Sequence, residues 1–433
     1  MINLHRAAFW VLVAFVFVMP WERNVPIPGA GGFGTPFAAI ALALALASFF
    51  AGDRLKIRSP SVVIVLMGLF VLWSITTYFW SINPPSTLAR SATYAQLLVM
   101  VWLIWQLVQD KQDFLRLLQA YVAGALFAVG VVLLGFLRGE AYHIGTTGMR
   151  FSFGGGDPNY LALTLALALP MAWYLFVVNK GKFFTPLNVL YIPVALLTIM
   201  LTGSRGGIVA AAIAFSAVPM TYWRLSIARK VILIGTLGAA VYAGVALTPD
   251  ATIQRLLSIP EDVAEERLAG RQNIWQAGFV YLSANESAFI IGAGSGNFRN
   301  AIEGIYGRGV SAHNAYFNVL VENGVVGLVL FLAFFALALA PNVSAKVRFS
   351  GVWLALWLSL AVGIFALSWE REKPLWFVVG LLSTQRSVVI SPWRAHGSAS
   401  TGGGDRVPFA LARERSRRSA TPIAALTKLD TRR

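Results

Sequence analysis

The sequence contains no cysteine and only four histidines among its 433 residues. The absence of cysteine excludes disulfides, thiolate metal ligands and cysteine nucleophiles. Charged residues are also scarce, at 12% of the chain, whereas 57% of the residues are hydrophobic and the mean hydropathy is +0.67. Because a soluble domain needs more polar surface than this composition supplies, we expect a membrane protein.

Acidic residues are the scarcer charge, with 19 against 35 lysines and arginines, which gives a formal net charge of +16. Ten of the basic residues and three acidic ones lie between Arg386 and Arg433, in a segment rich in serine and glycine. Since the excess is concentrated in this tail, we predict a disordered segment that contacts anionic membrane lipid, and no nucleic-acid partner.

Separated apolar segments are each about long enough to cross the roughly 30 Å hydrocarbon core of a bilayer. They predict an all-α polytopic membrane protein with about 12 transmembrane helices. The predicted segments are residues 7–20, 34–51, 61–80, 92–109, 114–137, 159–178, 187–202, 207–223, 231–247, 315–340, 351–368 and 375–391.

The loops between these segments form two alternating sets, of which one is short and basic. Short basic loops face the cytoplasm, so we predict cytoplasmic termini and a second set of loops on the external, periplasmic side of the inner membrane. The predicted division is residues 1–247 with helices one to nine, a large external loop at 248–314, helices ten to twelve at 315–391, and a cytoplasmic tail at 392–433.

The external motif LTGSRGG covers residues 201–207. Ser204 is expected to cap the following helix, and the glycines permit a tight hairpin. Arg205 is then either an interfacial arginine that extends to water, or an anion site beside helix-start N–H groups that suits a phosphate. Arg150, upstream of the sixth segment, is a weaker candidate for anion binding.

The large loop contains EDVAEERLAGRQNIWQAGF at residues 261–279. Helical spacing separates Arg267 and Arg271 by four residues, with Trp275 one turn further along. The two arginines either pair with carboxylates on a solvated helix or form a second anion site. External loops contain no His and carboxylate cluster in the sequence, so we predict metal-independent chemistry without a cofactor.

The stretch SAHNAYFNVLVENGVVG, residues 311–327, leads from the loop into an apolar segment. Asn314, Asn318 and Glu322 are spaced by four residues, which predicts one polar stripe entering a membrane helix. His313 stands above the stripe. It is either a cap residue or a general base, since its reference pKa of about 6.5 suits proton transfer near neutral pH.

The order of these motifs resembles the O-antigen ligase and polymerase superfamily, bacterial membrane glycosyltransferases that handle undecaprenyl-linked glycans. LTGSRGG lies between two segments, RLAGRQNIWQAGF opens the large loop, IIGAGSGNF follows within the loop, and AHNAYFNVLVENGVVGLVLF closes it. The resemblance is firm from about Met149 to Ala340, and the hydropathy profile extends it over most of the chain.

The resemblance implies the C-type membrane glycosyltransferase fold and a metal-independent, inverting reaction. It implies that Arg205 and Arg271, with Arg267 as the neighbouring alternative, hold the pyrophosphate of an undecaprenyl-pyrophosphate-linked glycan donor. His313 is expected to activate an acceptor hydroxyl on lipid A–core or on a growing polysaccharide. Three further residues are expected to support the site: Asn314, Glu322 and Arg150.

The same motifs leave other functions open. A ligase and a polymerase share the donor chemistry, so the arginines and the histidine do not separate them. A protein O-oligosaccharyltransferase is a third enzyme class, although such enzymes usually carry a longer C-terminal region. A small-anion transporter, for bicarbonate or a similar ion, would favour inverted repeats and interrupted helices, and the sequence contains no clear internal repeat.

Overall fold

The computed structural model describes residues 3–27, 31–51, 57–141, 149–179, 184–247, 271–343, 347, 349–385 and 387–388. Within these residues nearly all regular structure is helical. The helices are, in chain order, α1 (Leu4–Val18), α2 (Thr35–Phe50), α3 (Val62–Thr76), α4 (Pro84–Leu107), α5 (Lys111–Leu137), α6 (Pro158–Val178), α7 (Thr185–Leu201), α8 (Arg205–Phe215), α9 (Ala217–Thr221), α10 (Ile227–Leu247), α11 (Arg271–Ala284), α12 (Glu286–Ile291), α13 (Phe298–Tyr306), α14 (Ala315–Leu339), α15 (Ser350–Phe365) and α16 (Lys373–Gln385). Strands β1 (Pro26–Ile27) and β2 (Gly31–Gly32) pair as a short antiparallel ribbon.

Several of these helices can cross a membrane. Five stretches of the described chain are long and apolar enough to do so: Val62–Trp80, Pro84–Leu107, Lys111–Leu137, Pro158–Val178 and Ala315–Asn342. Five shorter apolar helices accompany them: Leu4–Val18, Thr35–Phe50, Thr185–Leu201, Arg205–Thr221 and Ser350–Phe365. The predicted all-α membrane protein is confirmed, and each of the twelve predicted segments overlaps a helix. The number of crossings and the side on which each loop lies remain predictions.

The fourth helix begins earlier than the sequence predicted, at Pro84 rather than at residue 92. The Asn83 side chain accepts a hydrogen bond from the Ser86 backbone N–H at 3.2 Å, and proline fits a first helical turn. The first two turns carry polar side chains, among them Arg90, so hydropathy alone does not register them as part of a membrane helix.

Helix α6 is the most deeply buried of the five long spans and packs against α5, α7, α8 and α15. Small residues bring two of its neighbours unusually close. A Cβ on Gly207 of α8 would lie 2.3 Å from the Ala162 side chain, and a Cβ on Gly363 of α15 would lie 2.3 Å from Leu163. Because neither position has room for a larger residue, these contacts fix α8 and α15 against the central helix.

The described part of the large loop folds as α11, α12 and α13 around a small apolar core, which includes Ile274, Leu282, Phe298 and Ile302. This core packs on the start of α14 through Phe317. Residues 248–270, including Arg267, lie outside the described residues, as does the predicted tail at 392–433.

Candidate active site

The LTGSRGG motif forms the predicted hairpin between α7 and α8. The Ser204 side chain accepts a hydrogen bond from the Gly207 backbone N–H at 3.2 Å, which confirms the expected helix cap. Gly203 has a φ of +57°, a left-handed conformation that glycine adopts without strain. Arg205 is the first residue of α8 and is half-buried. The hairpin therefore carries Arg205 at the start of a helix, where the helix dipole favours an anion.

Arg150 holds this hairpin against the start of α6. Its Nε donates to the Thr202 carbonyl at 2.7 Å, and its Nη2 donates to Asn159 Oδ1 at 2.9 Å. The neighbouring Phe151 N–H donates to the Leu201 carbonyl at 3.1 Å. Arg150 is buried, so these contacts give it a structural role in joining two segments beside the site.

Arg271 reaches the same hairpin from the large loop. It is the first residue of α11 and lines a small cavity of about 20 Å³ together with Asn159, Ser204, Gly206 and other residues. Ser204 and Gly206 flank Arg205 in the chain, so Arg271 comes from a distant part of the sequence to the hairpin that carries Arg205. Burial lowers the pKa of Arg271, and the Asp157 carboxylate opposes this shift.

His313 lies in the short segment that closes the loop onto α14. Its backbone φ is +49°, a left-handed conformation that costs a non-glycine residue roughly 1–3 kcal/mol and must be held by its surroundings. Trp275 Nε1 donates to the Ala312 carbonyl at 2.8 Å, and the Ser311 and Ser368 hydroxyls lie 2.9 Å apart. Backbone strain of this kind is concentrated at functional sites.

The environment of His313 favours its neutral form. Burial lowers its pKa below the usual 6.5, and the positive charges of Arg271 and Arg299 lower it further, while Asp157 acts in the opposite sense. An imidazole that is neutral at pH 7 is able to accept a proton. His313, Arg271 and Asp157 are therefore close enough to influence one another's charge.

The polar stripe of α14 extends away from His313 into a buried charge cluster. Asn314 caps α14 by accepting from the Phe317 N–H at 3.0 Å, and Asn318 donates to Glu370 Oε1 at 3.1 Å. Glu322 follows His313 by nine residues, so it lies about 13 Å further along the helix direction. Its position beside Arg90 in this cluster separates it from the histidine.

Arg90 of α4 is the centre of this cluster. Its Nη1 donates to Glu322 Oε2 at 3.1 Å and to Glu370 Oε1 at 2.9 Å. Glu322 also accepts from the backbone N–H groups of Gly296 at 2.8 Å and Phe298 at 3.3 Å. Glu322 thus ties the glycine-rich segment of the loop to α14 and α4.

Sequence reasoning did not assign a role at the site to Asp157, Arg299, Arg90 or Glu370. Asp157 caps α6 by accepting from the Asn159 N–H at 2.8 Å. Arg90 lies in the polar first turns of α4, and Glu370 lies 280 residues later in the turn between α15 and α16. An ionisable residue at the end of a membrane helix was the available signal, but the sequence does not say which residues pair.

A larger cavity, of about 920 Å³, opens near the same end of the bundle. Its walls come from α1, α2 and α4 and include Phe15, Leu42 and Met100. Charged residues line it as well, and the guanidinium of Arg23 lies 4.5 Å from the ring centre of Tyr160, near the start of α6. An apolar cavity with a few charged groups is typical of a site for an amphiphilic ligand.

Among the described residues no three His, Asp or Glu side chains lie close enough together to hold a metal ion. The predicted metal-independent chemistry remains a prediction.

Comparison with known proteins agrees with these motifs. A search of curated proteins found no match. The family model for O-antigen ligase matches residues 190–332, a range that includes Arg205, Arg271 and His313. The resemblance stated from the motifs is confirmed for this part of the chain, because residues 190–332 match the O-antigen ligase family.

Proposed function

We propose that this protein is an O-antigen ligase-like membrane glycosyltransferase. It moves a glycan from undecaprenyl pyrophosphate to an acceptor hydroxyl, on lipid A–core or on a growing surface polysaccharide, at the external face of the inner membrane. The observation that carries the proposal is the meeting of His313, held neutral, with Arg271 beside the Arg205 hairpin.

The reaction is a single displacement. The acceptor oxygen bonds to the anomeric carbon while the bond from that carbon to the pyrophosphate oxygen breaks, which inverts the configuration. One ring nitrogen of His313 takes the acceptor's proton. The negative charge that grows on the leaving undecaprenyl pyrophosphate is stabilised by Arg271 and Arg205, whose guanidinium groups suit phosphate oxygens. No step requires a metal ion.

The 920 Å³ cavity supports a lipid-linked donor. Its apolar walls suit a polyprenyl chain. Arg23 and Lys373 at the cavity pair with Glu372 at 2.8 Å and Glu22 at 2.6 Å, so a phosphate would have to replace these carboxylates. Tyr160 lines the cavity and Asp157 precedes it by one helical turn, so the cavity lies near the carboxylate that influences Arg271 and His313.

The direct test replaces the proposed base without disturbing its backbone. Asparagine adopts the left-handed conformation more readily than most residues, so His313→Asn removes the imidazole and keeps the local fold. In vesicles that contain purified protein, lipid-linked glycan and lipid A–core, we expect transfer to fall by about 10²- to 10⁴-fold, the usual contribution of a general base.

Arg271→Lys is expected to reduce transfer by about 10²-fold, because it loses the planar donor pair while keeping the charge. Arg138→Lys is the matched control: its side chain is 69% exposed, its ion pair to Glu140 is 4.0 Å long, and transfer should be unchanged. Full activity of His313→Asn would rule out the histidine as the base.

A polymerase remains the second candidate, because a ligase and a polymerase use the same kind of lipid-linked donor. The same vesicles decide between the two when the acceptor is changed. Transfer to lipid A–core supports a ligase, and transfer to a second lipid-linked repeat unit supports a polymerase.

A further inference from the structure

The end of α11 and the last residues of α12 expose an apolar surface in the loop beside the site, with Ser283 and Glu286 exposed next to it. Its exposed fractions are 58% for Phe279, 45% for Val280, 49% for Phe289 and 57% for Ile290. We name these four residues the hairpin patch. The first half of α11 exposes polar side chains instead, namely Gln272, Asn273 and Gln276. The apolar exposure is therefore confined to one end of the hairpin.

Backbone contacts fix this end of the hairpin against two membrane helices. Trp80 Nε1 donates to the Ile291 carbonyl at 3.2 Å. The Ile290 carbonyl packs on α14 so closely that a Cβ on Gly324 would lie 2.2 Å from it. Gly324 has a φ of +66°, so only glycine suits both its backbone and the space.

These contacts also fix the height of the patch relative to the bilayer. The span Val62–Trp80 has 19 residues, about 28 Å of helix, which matches a hydrocarbon core of about 30 Å. Trp80 therefore lies at the boundary between hydrocarbon and headgroups. Gly324 is the tenth residue of the 28-residue span Ala315–Asn342, which at about 42 Å is longer than the core requires. The contact with Trp80 therefore places α12 near the membrane surface.

The patch continues the lipid-facing surface of α3. That helix exposes Leu72 and Ile75, and in the turn after it the exposed fraction of Phe79 is 83%. Because α3 is long and apolar enough to span a membrane, we expect this row of side chains to contact lipid up to Trp80, which bonds to the last residue of α12. A surface that extends the lipid contact without a break has lipid as its natural partner.

We propose that the α11–α12 hairpin is an interfacial anchor, whose patch inserts into the membrane leaflet on the side of the site. Aromatic residues are favoured at this level of a bilayer, and an amphipathic helix lies in the interface plane with its apolar face buried. Arg271 is the first residue of α11, so the anchor sets the height of this arginine above the membrane.

The absence of cysteine makes the test direct, since one introduced cysteine carries the only label. A nitroxide is attached at Phe289→Cys in the full chain, reconstituted in nanodiscs of phosphatidylethanolamine and phosphatidylglycerol. Its collision rates with oxygen, which enriches in hydrocarbon, and with a neutral nickel chelate, which stays in water, are measured by electron paramagnetic resonance.

Two matched positions calibrate the measurement. Leu72→Cys on α3 is the reference for hydrocarbon, and Glu303→Cys on the exposed face of α13 is the reference for water. We expect the ratio of oxygen to nickel collisions at residue 289 to exceed that at residue 303 severalfold and to approach that at residue 72. Ile290→Cys gives a second measurement if the first variant does not fold.

A ratio at residues 289 and 290 equal to that at residue 303 overturns the proposal. It would show that the patch faces water in a bilayer that contains no other protein. The exposed apolar surface would then be a binding surface for a protein partner. The measurement needs no substrate, so its failure leaves the proposed glycan transfer untouched, and loss of transfer leaves the anchor untouched.

Discussion

Glu322→Gln should destabilise the protein much more than Glu370→Gln, although both remove one carboxylate charge from Arg90. The groups that bond to Glu322 in the described residues are all donors: Arg90 and Gly296 donate to Oε2, and Phe298 donates to Oε1. A glutamine amide turned either way points its NH₂ group at one of these donors. In the better of its two orientations, the glutamine loses the hydrogen bond from the Phe298 N–H, and Arg90 no longer faces a negative charge.

The cost follows from the bonds that are lost. A hydrogen bond to a charged group contributes about 1.5–3 kcal/mol, and a buried donor left without a partner costs about 1–3 kcal/mol. We therefore expect Glu322→Gln to reduce the free energy of unfolding by about 3 kcal/mol.

Glu370 differs from Glu322 because one of its two carboxylate oxygens is unpaired. Its Oε1 accepts from Arg90 and Asn318, but its Oε2 has no hydrogen-bond partner among the described residues. A glutamine can keep both bonds and direct its NH₂ group to the unpaired side. Burial also raises the pKa of Glu370 to about 7, so its ionised form is costly. We expect a change of about 1 kcal/mol or less.

The assay is unfolding of purified protein by titration from mild into denaturing detergent, followed by circular dichroism. Wild type should become less stable as pH rises from 5 to 8, because the folded Glu370, with its raised pKa, binds a proton that the unfolded chain has already released. Glu370→Gln should lack this dependence. Equal losses of stability in the two variants, or a larger loss in Glu370→Gln, would refute the reasoning. Glu322 would then not be the residue that holds the cluster together.

The remaining predictions concern the site and the large cavity. When the transfer rate is plotted against pH, its acidic limb should have an inflection below pH 6.5. Burial and Arg271 lower the pKa of His313, and only the neutral ring accepts a proton. An inflection above pH 6.5 would contradict this prediction. Ala39→Trp, which fills the 920 Å³ cavity from α2, should weaken binding of undecaprenyl phosphate to the detergent-solubilised protein, measured by the lipid-induced shift in melting temperature. Ala47→Trp, exposed on the same helix, should bind as wild type, and equal binding by both variants excludes the cavity as the lipid site.

The sequence by itself determined the class of the fold and the chemical types at the site. Apolar segments of membrane length specify helices regardless of their neighbours, because a bilayer forces backbone groups to pair within each segment. The cap at Ser204 is likewise local, since the side chain and the N–H that it accepts from are three residues apart. The family resemblance rested on motifs of the same local kind, and it singled out Arg205, Arg271 and His313.

Only the tertiary structure decided which of these residues meet. Arg271 and the hairpin at Ser204 are 67 positions apart, and their shared cavity depends on how α11 packs on α13 and α14. The left-handed backbone of His313 is imposed by contacts from Trp275 and Ser368, which no local pattern encodes. Glu322 shows the reverse case, because helical spacing aligned it with the site while Arg90, from a distant helix, holds it in a separate cluster. Pairing over such distances is set by the packing of whole helices. A sequence pattern predicts only which residues share a face of one helix, not which other helix that face contacts.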